Sequence, residues 1–260
     1  MISLDAYKLK WIAIIGMFAN HMVIAWWEIL PLWLNFPMYA AGGLTFPIMA
    51  YFVVEGYRHT SNLPKYILRL LIFGLIALPF HVLALGVPLG GGYPILNIMF
   101  TIILSLLVLV LYDKIKARAL FWVLFAIVIV PVSLFFFEWY FIGVTTVLLF
   151  HIIKNENTRR IVPPIFAGVS WLLLSLLSLV SMQFVDGFEE LGGLVADSDF
   201  TVVMMTFVIG CVAAAILLKN FNGERGRRMK WLFYAFYPIH LAILTGVALA
   251  LGLVNISAFM

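Results

Sequence analysis

The 260-residue sequence is poor in charged residues, which make up 11% of it, while hydrophobic residues make up 65%. Soluble domains carry about a quarter charged residues because their surfaces face water. This chain has less than half of that share, so a soluble globular enzyme and a disordered segment are both excluded. Its single cysteine, Cys211, lies in an apolar run, which excludes a disulfide within the chain and a cysteine-based metal site.

The motifs of several membrane enzymes are also missing. The sequence has no His-Glu-x-x-His, no Gly-x-Ser-x-Gly, no Gly-Lys-Ser/Thr and no dense aspartate cluster for magnesium. An intramembrane metalloprotease, a P-loop pump and an aspartate-rich phosphotransferase are therefore disfavoured, and we expect no metal. The formal net charge of +4 comes from short basic clusters between apolar runs. Such clusters indicate membrane topology rather than nucleic-acid binding.

Long apolar runs dominate the sequence instead. Nine of them suit transmembrane helices better than barrel strands of about ten alternating residues. They lie at roughly 9–27, 33–54, 66–85, 95–112, 119–137, 139–153, 161–184, 200–218 and 231–254. The nearly contiguous runs 119–137 and 139–153 form either two spans or one broken, re-entrant unit. The sequence predicts an all-α integral membrane protein, in which residues 1–260 form a single bundle of about nine helices.

The charges sort by side when the nine predicted spans alternate. All 16 Lys and Arg residues fall on one side. The other side carries only acidic residues, namely Glu28, Glu138, Asp186, Glu189, Glu190, Asp197 and Asp199. By the positive-inside rule this segregation predicts a cytoplasmic N-terminus and an external C-terminus. The rule explains the basic clusters at 114–118 and 154–160 without any ligand. Residues 90–92, three glycines, predict a turn, and residues 185–199 predict an acidic external loop.

A few polar side chains fall inside the predicted spans, where they are costly and usually face the interior of the bundle. Asn20 and His21 lie about 12 residues into the first span, or ~18 Å from its cytoplasmic end at 1.5 Å per residue. His81 lies in the outer half of the third span, and His240 lies near the middle of the last. Tyr237 precedes His240 by three residues, so both share one helix face. We interpret these five residues as a candidate catalytic group; for His81 and His240 a structural hydrogen-bonding role is the alternative.

A second group, the loop cluster, surrounds the predicted cytoplasmic connection between the second and third spans. We expect the second helix to end at Glu55 and the connection to carry Arg58 and His59. Lys65 then directly precedes the third helix, which begins at Tyr66 and carries Arg69 one turn inside. Arginine grips phosphate through its planar fork and lysine acts as a point charge, so this cluster predicts a polyphosphate site. The alternatives are a plain topology signal and, for Glu55 and Arg69, an ion pair with each other.

The segments that hold both groups resemble TraX-like membrane proteins. The resemblance lies in residues 8–21, 43–47, 52–60, 66–73, 79–80 and 234–241. The last of these segments is also similar to the wider membrane acyltransferases. Asn20 departs from the family, which more often has Asp before the histidine. The resemblance implies a bacterial inner-membrane acetyltransferase that takes acetyl-CoA as donor and acetylates the amino terminus of a pilin.

The resemblance also implies roles for the two groups. The loop cluster would bind the anionic nucleotide of acetyl-CoA, while the uncharged arm of the donor enters the bundle. His21 would act as general base, or would carry the acetyl group covalently, and the other four members of the catalytic group would orient it or bind the developing oxyanion. The acceptor would be an amine or hydroxyl of a protein, sugar or lipid that arrives from the external side.

Two other functions fit the same sequence. A small proton-coupled secondary transporter would use the histidines as a proton relay and Pro47, Pro79 and Pro238 as helix breaks. Against it, the sequence has no visible repeat and no acid deep in a predicted span. A structural assembly protein would use its loops to contact partners. Binding of acetyl-CoA separates the acetyltransferase from both.

Overall fold

A computed structural model describes residues 3–85, 95–184, 198–228 and 230–253, which are helical apart from short connections. The helices are α1 (Ala6–Ala25), α2 (Leu32–Gly42), α3 (Thr45–His59), α4 (Leu63–Leu85), α5 (Ile98–Lys114), α6 (Arg118–Leu124), α7 (Val130–Phe136), α8 (Tyr140–Ile152), α9 (Glu156–Phe184), α10 (Ser198–Met205), α11 (Phe207–Lys219) and α12 (Lys230–Ala250). A π-helical turn, Phe125–Ile129, joins α6 to α7. The predicted turn at 90–92 and all but the end of the predicted acidic loop lie outside the described residues. The all-α prediction is confirmed.

Seven of the described helical stretches are long and apolar enough to cross a membrane. Among them, α2 with α3, α6 with α7, and α10 with α11 each form one stretch that contains a break or a π-helical turn. The remaining two predicted segments are shorter helices, α5 with 17 residues and α8 with 13, which pack against each other. The prediction of a helical membrane bundle is therefore confirmed, with two of its members too short to cross by the same standard.

The nearly contiguous runs 119–137 and 139–153 form two separate stretches. The first, α6 through α7, has 19 residues, and α8 then returns beside α5 and α9. The chain reverses at Trp139 and Tyr140, whose φ angles of 66° and 47° lie in a region that residues other than glycine rarely occupy. The Trp139 indole stacks on the Phe46 ring with centroids 4.2 Å apart, so packing against α3 holds this turn in place.

One end of the bundle, which we call the basic end, collects the connections rich in Lys and Arg. It contains the starts of α1, α4, α6, α9 and α12 and the ends of α3, α5, α8 and α11. The N-terminal residues are tied to the α11–α12 connection there. The Leu4 amide donates a hydrogen bond to the Asn220 carbonyl at 3.3 Å, and the Asn222 amide donates to the Leu4 carbonyl at 2.9 Å.

A second contact at the basic end joins three helices through Asp113, near the end of α5. Its carboxylate accepts a hydrogen bond from the Tyr57 hydroxyl on α3 at 2.7 Å and another from His151 Nε2 on α8 at 2.8 Å. Charged hydrogen bonds of this length are stronger than neutral ones. The contact therefore fixes the spacing of α3, α5 and α8 where they leave the bundle.

Helix α3 extends further at the basic end than the sequence suggested. It continues through Arg58 to His59 instead of ending at Glu55. Glu55 lies 3.6 Å from the Arg58 guanidinium one turn later, and His59 Nδ1 donates to the Glu55 carbonyl oxygen at 2.8 Å. These contacts support the extra turn. The expectation that Arg58 and His59 lie in a loop is wrong.

Two of the three interrupted stretches, α2 with α3 and α10 with α11, cross each other near their breaks. A methyl group added to Gly43, between α2 and α3, would overlap the carbonyl oxygen of Phe207, and one added to Gly210 on α11 would overlap the carbonyl oxygen of Ala40. The Cys211 thiol donates to the Gly43 carbonyl oxygen at 3.1 Å. Glycine lets two helix backbones approach this closely, a common arrangement in membrane bundles. The crossing fixes α2 and α3 against α11.

We expect Gly210→Ala to destabilise the protein by about 3 kcal/mol, because the added methyl group meets a backbone oxygen that cannot move aside. The matched control is Gly246→Ala on α12, where an added methyl group has no neighbour within 4 Å. Thermal unfolding in detergent measures both variants. Equal melting temperatures for the two variants would contradict the close crossing.

Candidate functional site

A pair of histidines joins the first helix to the last in the interior of the bundle. His21 on α1 and His240 on α12 are 4% and 1% exposed. His21 Nδ1 and His240 Nε2 are 2.7 Å apart, and the two rings are nearly parallel, with an interplanar angle of 11° and centroids 5.0 Å apart. The pair satisfies one ring nitrogen of each residue where water is excluded.

The surroundings of His240 fix which nitrogen of His21 is free. His240 Nδ1 lies 2.8 Å from the Phe236 carbonyl oxygen, which can only accept a hydrogen bond. His240 Nδ1 therefore carries the proton in the neutral pair, and its Nε2 accepts from His21 Nδ1. This order leaves His21 Nε2 as an unprotonated nitrogen. A neutral imidazole with one nitrogen oriented by a partner and the other free is the arrangement of a general base.

Two further members of the predicted catalytic group lie beside this pair. The Tyr237 ring meets the His21 and His240 rings edge-on, with centroids 6.3 Å and 5.5 Å away. His81 on α4 is 2% exposed and close enough to interact electrostatically with both histidines. Within the described residues neither of its ring nitrogens has a hydrogen-bond partner. We call His21, His81, Tyr237 and His240 the histidine site.

Asn20 is the predicted member that the structure places elsewhere. It follows the helical rotation of α1 to a different face, where it packs against Gly42 and contacts Tyr39, both on α2. His240 therefore supplies the hydrogen bond that orients His21. A functional role for Asn20 stays a prediction without a contact in the histidine site.

A cavity of about 930 Å³ opens at the basic end. Its wall contains seven basic residues and three acidic ones. The basic ones are Lys10, Arg69, Arg159, Arg160, Arg225, Arg227 and Arg228, and the acidic ones are Glu55, Glu156 and Glu224. The inner part of the wall is apolar and includes Met49, Leu70, Met99 and Ile102. The cavity thus combines a cationic mouth with an apolar interior.

The loop cluster divides between several locations. Glu55, His59 and Arg69 line the cavity. Arg58 instead donates to the carbonyl oxygen of His151 at 3.0 Å, which ties α3 to the end of α8. Lys65 lines a separate groove of about 500 Å³.

Arg69 and Glu55 do not form an ion pair with each other, which was the alternative to a ligand-binding role for both residues. Its guanidinium carbon lies 5.9 Å from the ring centroids of both Tyr66 and Tyr234, and its buried Nε has no hydrogen-bond partner within the described residues. Glu55 pairs instead with Arg159 at the start of α9 and lies near Arg58 on its own helix.

Arg159 is buried and is the centre of an ion-pair network with two partly exposed carboxylates, although the positive-inside rule had explained it without any partner. It pairs with Glu55 and, at 2.9 Å, with Glu156. Glu156 also accepts from the Tyr51 hydroxyl and from Arg160 Nε, both at 2.8 Å. The spacing of Glu156, Arg159 and Arg160 at the start of a helix is the sequence pattern that could have revealed it.

The cavity and the histidine site follow one another along α12. Tyr234 lines the cavity, Tyr237 comes three residues later and His240 three residues after that. At 1.5 Å per residue, His240 lies ~9 Å beyond Tyr234 along the helix axis. The wall of the cavity, in the part of the chain that is described, stops short of the three histidines. Side chains between the two regions therefore separate them in this conformation.

Glu138 is a functional candidate that the sequence did not single out. It lies in the connection between α7 and α8, where its carboxylate accepts from the Ile98 amide at 2.8 Å and lies next to Tyr237. Removal from water raises the pKa of Glu138 to about 7, and the Ile98 amide and the Tyr237 hydroxyl act in the opposite direction. The strained turn at Trp139 directs this carboxyl group toward the interior. In the sequence Glu138 lies in a short connection predicted to be external, and this position gave no indication that its carboxyl group faces the interior.

The chain is similar to a known protein family and to a described protein. The family model described as TraX protein matches residues 5–248. A protein of Dichelobacter nodosus described as probable fimbrial assembly protein FimC, serogroup H1, is 28% identical over 257 residues, which cover 94% of this chain and 95% of that protein. No solved structure matches the chain.

We expect Arg159→Met to destabilise the protein by about 2 kcal/mol, because it removes the buried cation that Glu55 and Glu156 share, while both carboxylates are partly exposed and Glu156 keeps Arg160. Adding Glu55→Gln and Glu156→Gln removes the two charges, so the triple variant recovers part of the loss. Lys154→Met, at an exposed position nearby, is the control. Melting temperatures in detergent test the network, which is refuted if Arg159→Met and Lys154→Met unfold together.

Proposed function

The chain belongs to the TraX family, and on that premise we propose that it is an acetyltransferase of the bacterial inner membrane. It moves an acetyl group from acetyl-CoA, bound at the basic end on the cytoplasmic side, to an amine or hydroxyl acceptor in the histidine site. The observation that carries the proposal is the hydrogen-bonded pair of His21 and His240, which leaves His21 Nε2 free to take a proton.

The chemistry of the cavity suits acetyl-CoA as the donor. The nucleotide of this molecule is a polyanion, and the mouth carries seven basic side chains against three acidic ones. Ion pairs within the wall already occupy Arg159 and Arg160. Lys10, Arg69, Arg225, Arg227 and Arg228 supply the remaining positive charge, and the planar guanidinium fork is well suited to phosphate. The uncharged pantetheine arm suits the apolar inner wall.

In the proposed reaction His21 acts as the general base. Its Nε2 takes the proton of the acceptor amine or hydroxyl while that nitrogen or oxygen forms a bond to the acetyl carbonyl carbon. The carbon–sulfur bond of the thioester then breaks, and His21 returns the proton to the departing thiolate. His240 is a positioning residue that holds His21 in the required tautomer. Covalent transfer through His21 stays open as a second route.

Histidine and tyrosine can stabilise the oxygen of the tetrahedral intermediate. Neither ring nitrogen of His81 has a hydrogen-bond partner within the described residues, and Tyr237 carries a hydroxyl in the same site. A donor of this kind contributes about 10² to 10³ in rate when it is aimed at the developing oxyanion. The name of the Dichelobacter nodosus relative refers to fimbrial assembly, so a pilin-type amino terminus is the first acceptor to test.

We expect His21→Ala to lower acetyl transfer by about 10² to 10⁴ because it removes the base. The assay is transfer of radiolabelled acetyl from acetyl-CoA to a pilin peptide by the full chain in proteoliposomes. His240→Phe keeps a ring but loses the hydrogen bond, so we expect a lower kcat with an unchanged KM for acetyl-CoA.

The matched control is His151→Gln, since His151 lies at the basic end outside both the cavity and the histidine site. It should retain wild-type transfer. Wild-type activity in His21→Ala would remove this residue from the mechanism. Absence of transfer and of acetyl-CoA binding by the wild type would favour the transporter or the assembly protein.

We expect the double variant Arg227→Gln, Arg228→Gln to bind acetyl-CoA roughly tenfold more weakly, the factor that about 1.4 kcal/mol of lost charge-assisted contacts gives. Both residues line the mouth of the cavity. Lys114→Gln, Lys116→Gln removes two charges from the basic end outside the cavity and is the control. Binding measured by calorimetry in detergent at two salt concentrations tests this; equal affinities for the two double variants would contradict a site at the mouth.

A further inference from the structure

A groove separate from the cavity opens on the outside of the bundle, between the starts of α4 and α12. Its volume is about 500 Å³, and it is lined by Thr60, Ser61, Asn62, Lys65, Leu68, Arg69, Ile72 and Trp231. The two helices pack along each other, so their first turns form its walls. We call it the α4–α12 groove. Apart from Arg69, the proposed function uses none of these residues.

The part of the groove nearest the basic end suits an anion. It holds two basic residues, Lys65 and Arg69, and no acidic one among those that line it. Asn62 accepts from the Lys65 amide at 2.9 Å and so caps the start of α4, a helix of 23 residues whose N-terminal dipole also favours negative charge. The hydroxyls of Thr60 and Ser61 add donors beside it.

The part of the groove further from the basic end suits a hydrocarbon chain. Leu68 and Ile72 are one turn apart on α4 and are 52% and 46% exposed, and Trp231 on α12 is 63% exposed. Leu75 and Ile76 extend the same face of α4 away from the basic end, with exposures of 53% and 50%. An apolar face that continues from a cationic pocket toward the middle of the bilayer matches a lipid and not a free phosphate.

Arg69 strengthens this assignment because it belongs to both the groove and the cavity wall. Its guanidinium lies between Tyr66 and Tyr234, and its buried Nε has no hydrogen-bond partner within the described residues. Among the described residues no carboxylate pairs with Arg69, so its positive charge is available to a phosphate in the groove.

We propose that the α4–α12 groove binds one anionic phospholipid of the leaflet at the basic end. Its phosphate contacts Lys65, Arg69 and the hydroxyls of Thr60 and Ser61, and one acyl chain lies along Leu68 and Ile72. Basic pockets between helices on the cytoplasmic side of membrane proteins recognise lipid headgroups in this way. The site shares Arg69 with the cavity wall but does not rest on the acetyltransferase proposal, since Lys65, Leu68, Ile72 and Trp231 line the groove and not the cavity.

The test is lipid binding by the full chain in detergent, measured by native mass spectrometry and by thermal stability. Phosphatidylglycerol should bind and raise the melting temperature, whereas phosphatidylcholine at the same concentration should not. Lys65→Gln should bind phosphatidylglycerol about fivefold more weakly, the loss expected for one basic residue at a membrane surface. Lys116→Gln, an exposed lysine outside the groove, is the matched control and should bind as the wild type does.

Three results would overturn the proposal. If phosphatidylcholine binds as well as phosphatidylglycerol, the lipid charge does not contribute to binding. If Lys65→Gln and Lys116→Gln lose equal affinity, the lipid does not bind in the groove. Equal stabilisation by inorganic phosphate, without lipid, would assign the groove to a soluble anion. A variant with Leu68→Ser and Ile72→Ser tests the chain contact separately, because it should weaken lipid binding while leaving Lys65 in place.

Discussion

A polar side chain buried in a membrane bundle needs a hydrogen-bond partner. In this protein a histidine on the first helix and a histidine on the last helix are each other's partner. His21 and His240 are 219 residues apart in sequence and form a hydrogen bond of 2.7 Å. The bond joins α1 to α12, so the chain closes on itself around the interior. Because the Phe236 carbonyl fixes the proton of His240, the bond also sets which nitrogen of His21 is free. The contact that joins the first helix to the last therefore also leaves His21 Nε2 without a proton.

A second constraint acts at the basic end, where acidic and basic groups share a wall. Glu55 and Glu156 would repel a polyanion if they were unpaired, but Arg159 lies between them and Arg160 pairs with Glu156 as well. The pairs neutralise the carboxylates, and the remaining cations of the mouth keep their charge available. The same network joins α3 to α9, so the wall of the cavity is held by the groups that set its potential.

The sequence predicted the histidine site better than the mouth. His21, His81, Tyr237 and His240 stand out because polar side chains are rare in apolar runs, and they face inward for that reason. Charge near a membrane surface has two explanations, topology and binding, and sequence alone does not separate them. Arg159 looked like a topology signal and is buried, whereas Arg58 looked like a phosphate ligand and bonds a backbone carbonyl.

Features that depend on backbone geometry could not be predicted in the same way. The break between α2 and α3 follows from Gly43 meeting Phe207 on another helix, a contact without a local pattern. Glu138 appeared to lie in an external connection, and the left-handed turn at Trp139 is what directs it to Tyr237. The number of apolar segments was predictable, because hydropathy reports length, and so was the short α8, whose apolar run 139–153 is itself short. The short α5 was not predicted, since its ends are set by packing.

Exclusion of water gives the separation of mouth and interior a chemical meaning. A thioester beside a basic nitrogen is open to hydrolysis wherever water reaches it, and His21, His81 and His240 are each no more than 4% exposed. An acyl donor whose charged head stays in the wet cavity brings only its uncharged end to this dry region. Tyr234, Tyr237 and His240 mark the path between them on one face of α12. Because the cavity wall stops short of the histidines in the described part of the chain, the proposed transfer requires the donor to displace side chains, and His21 stays covered until it does.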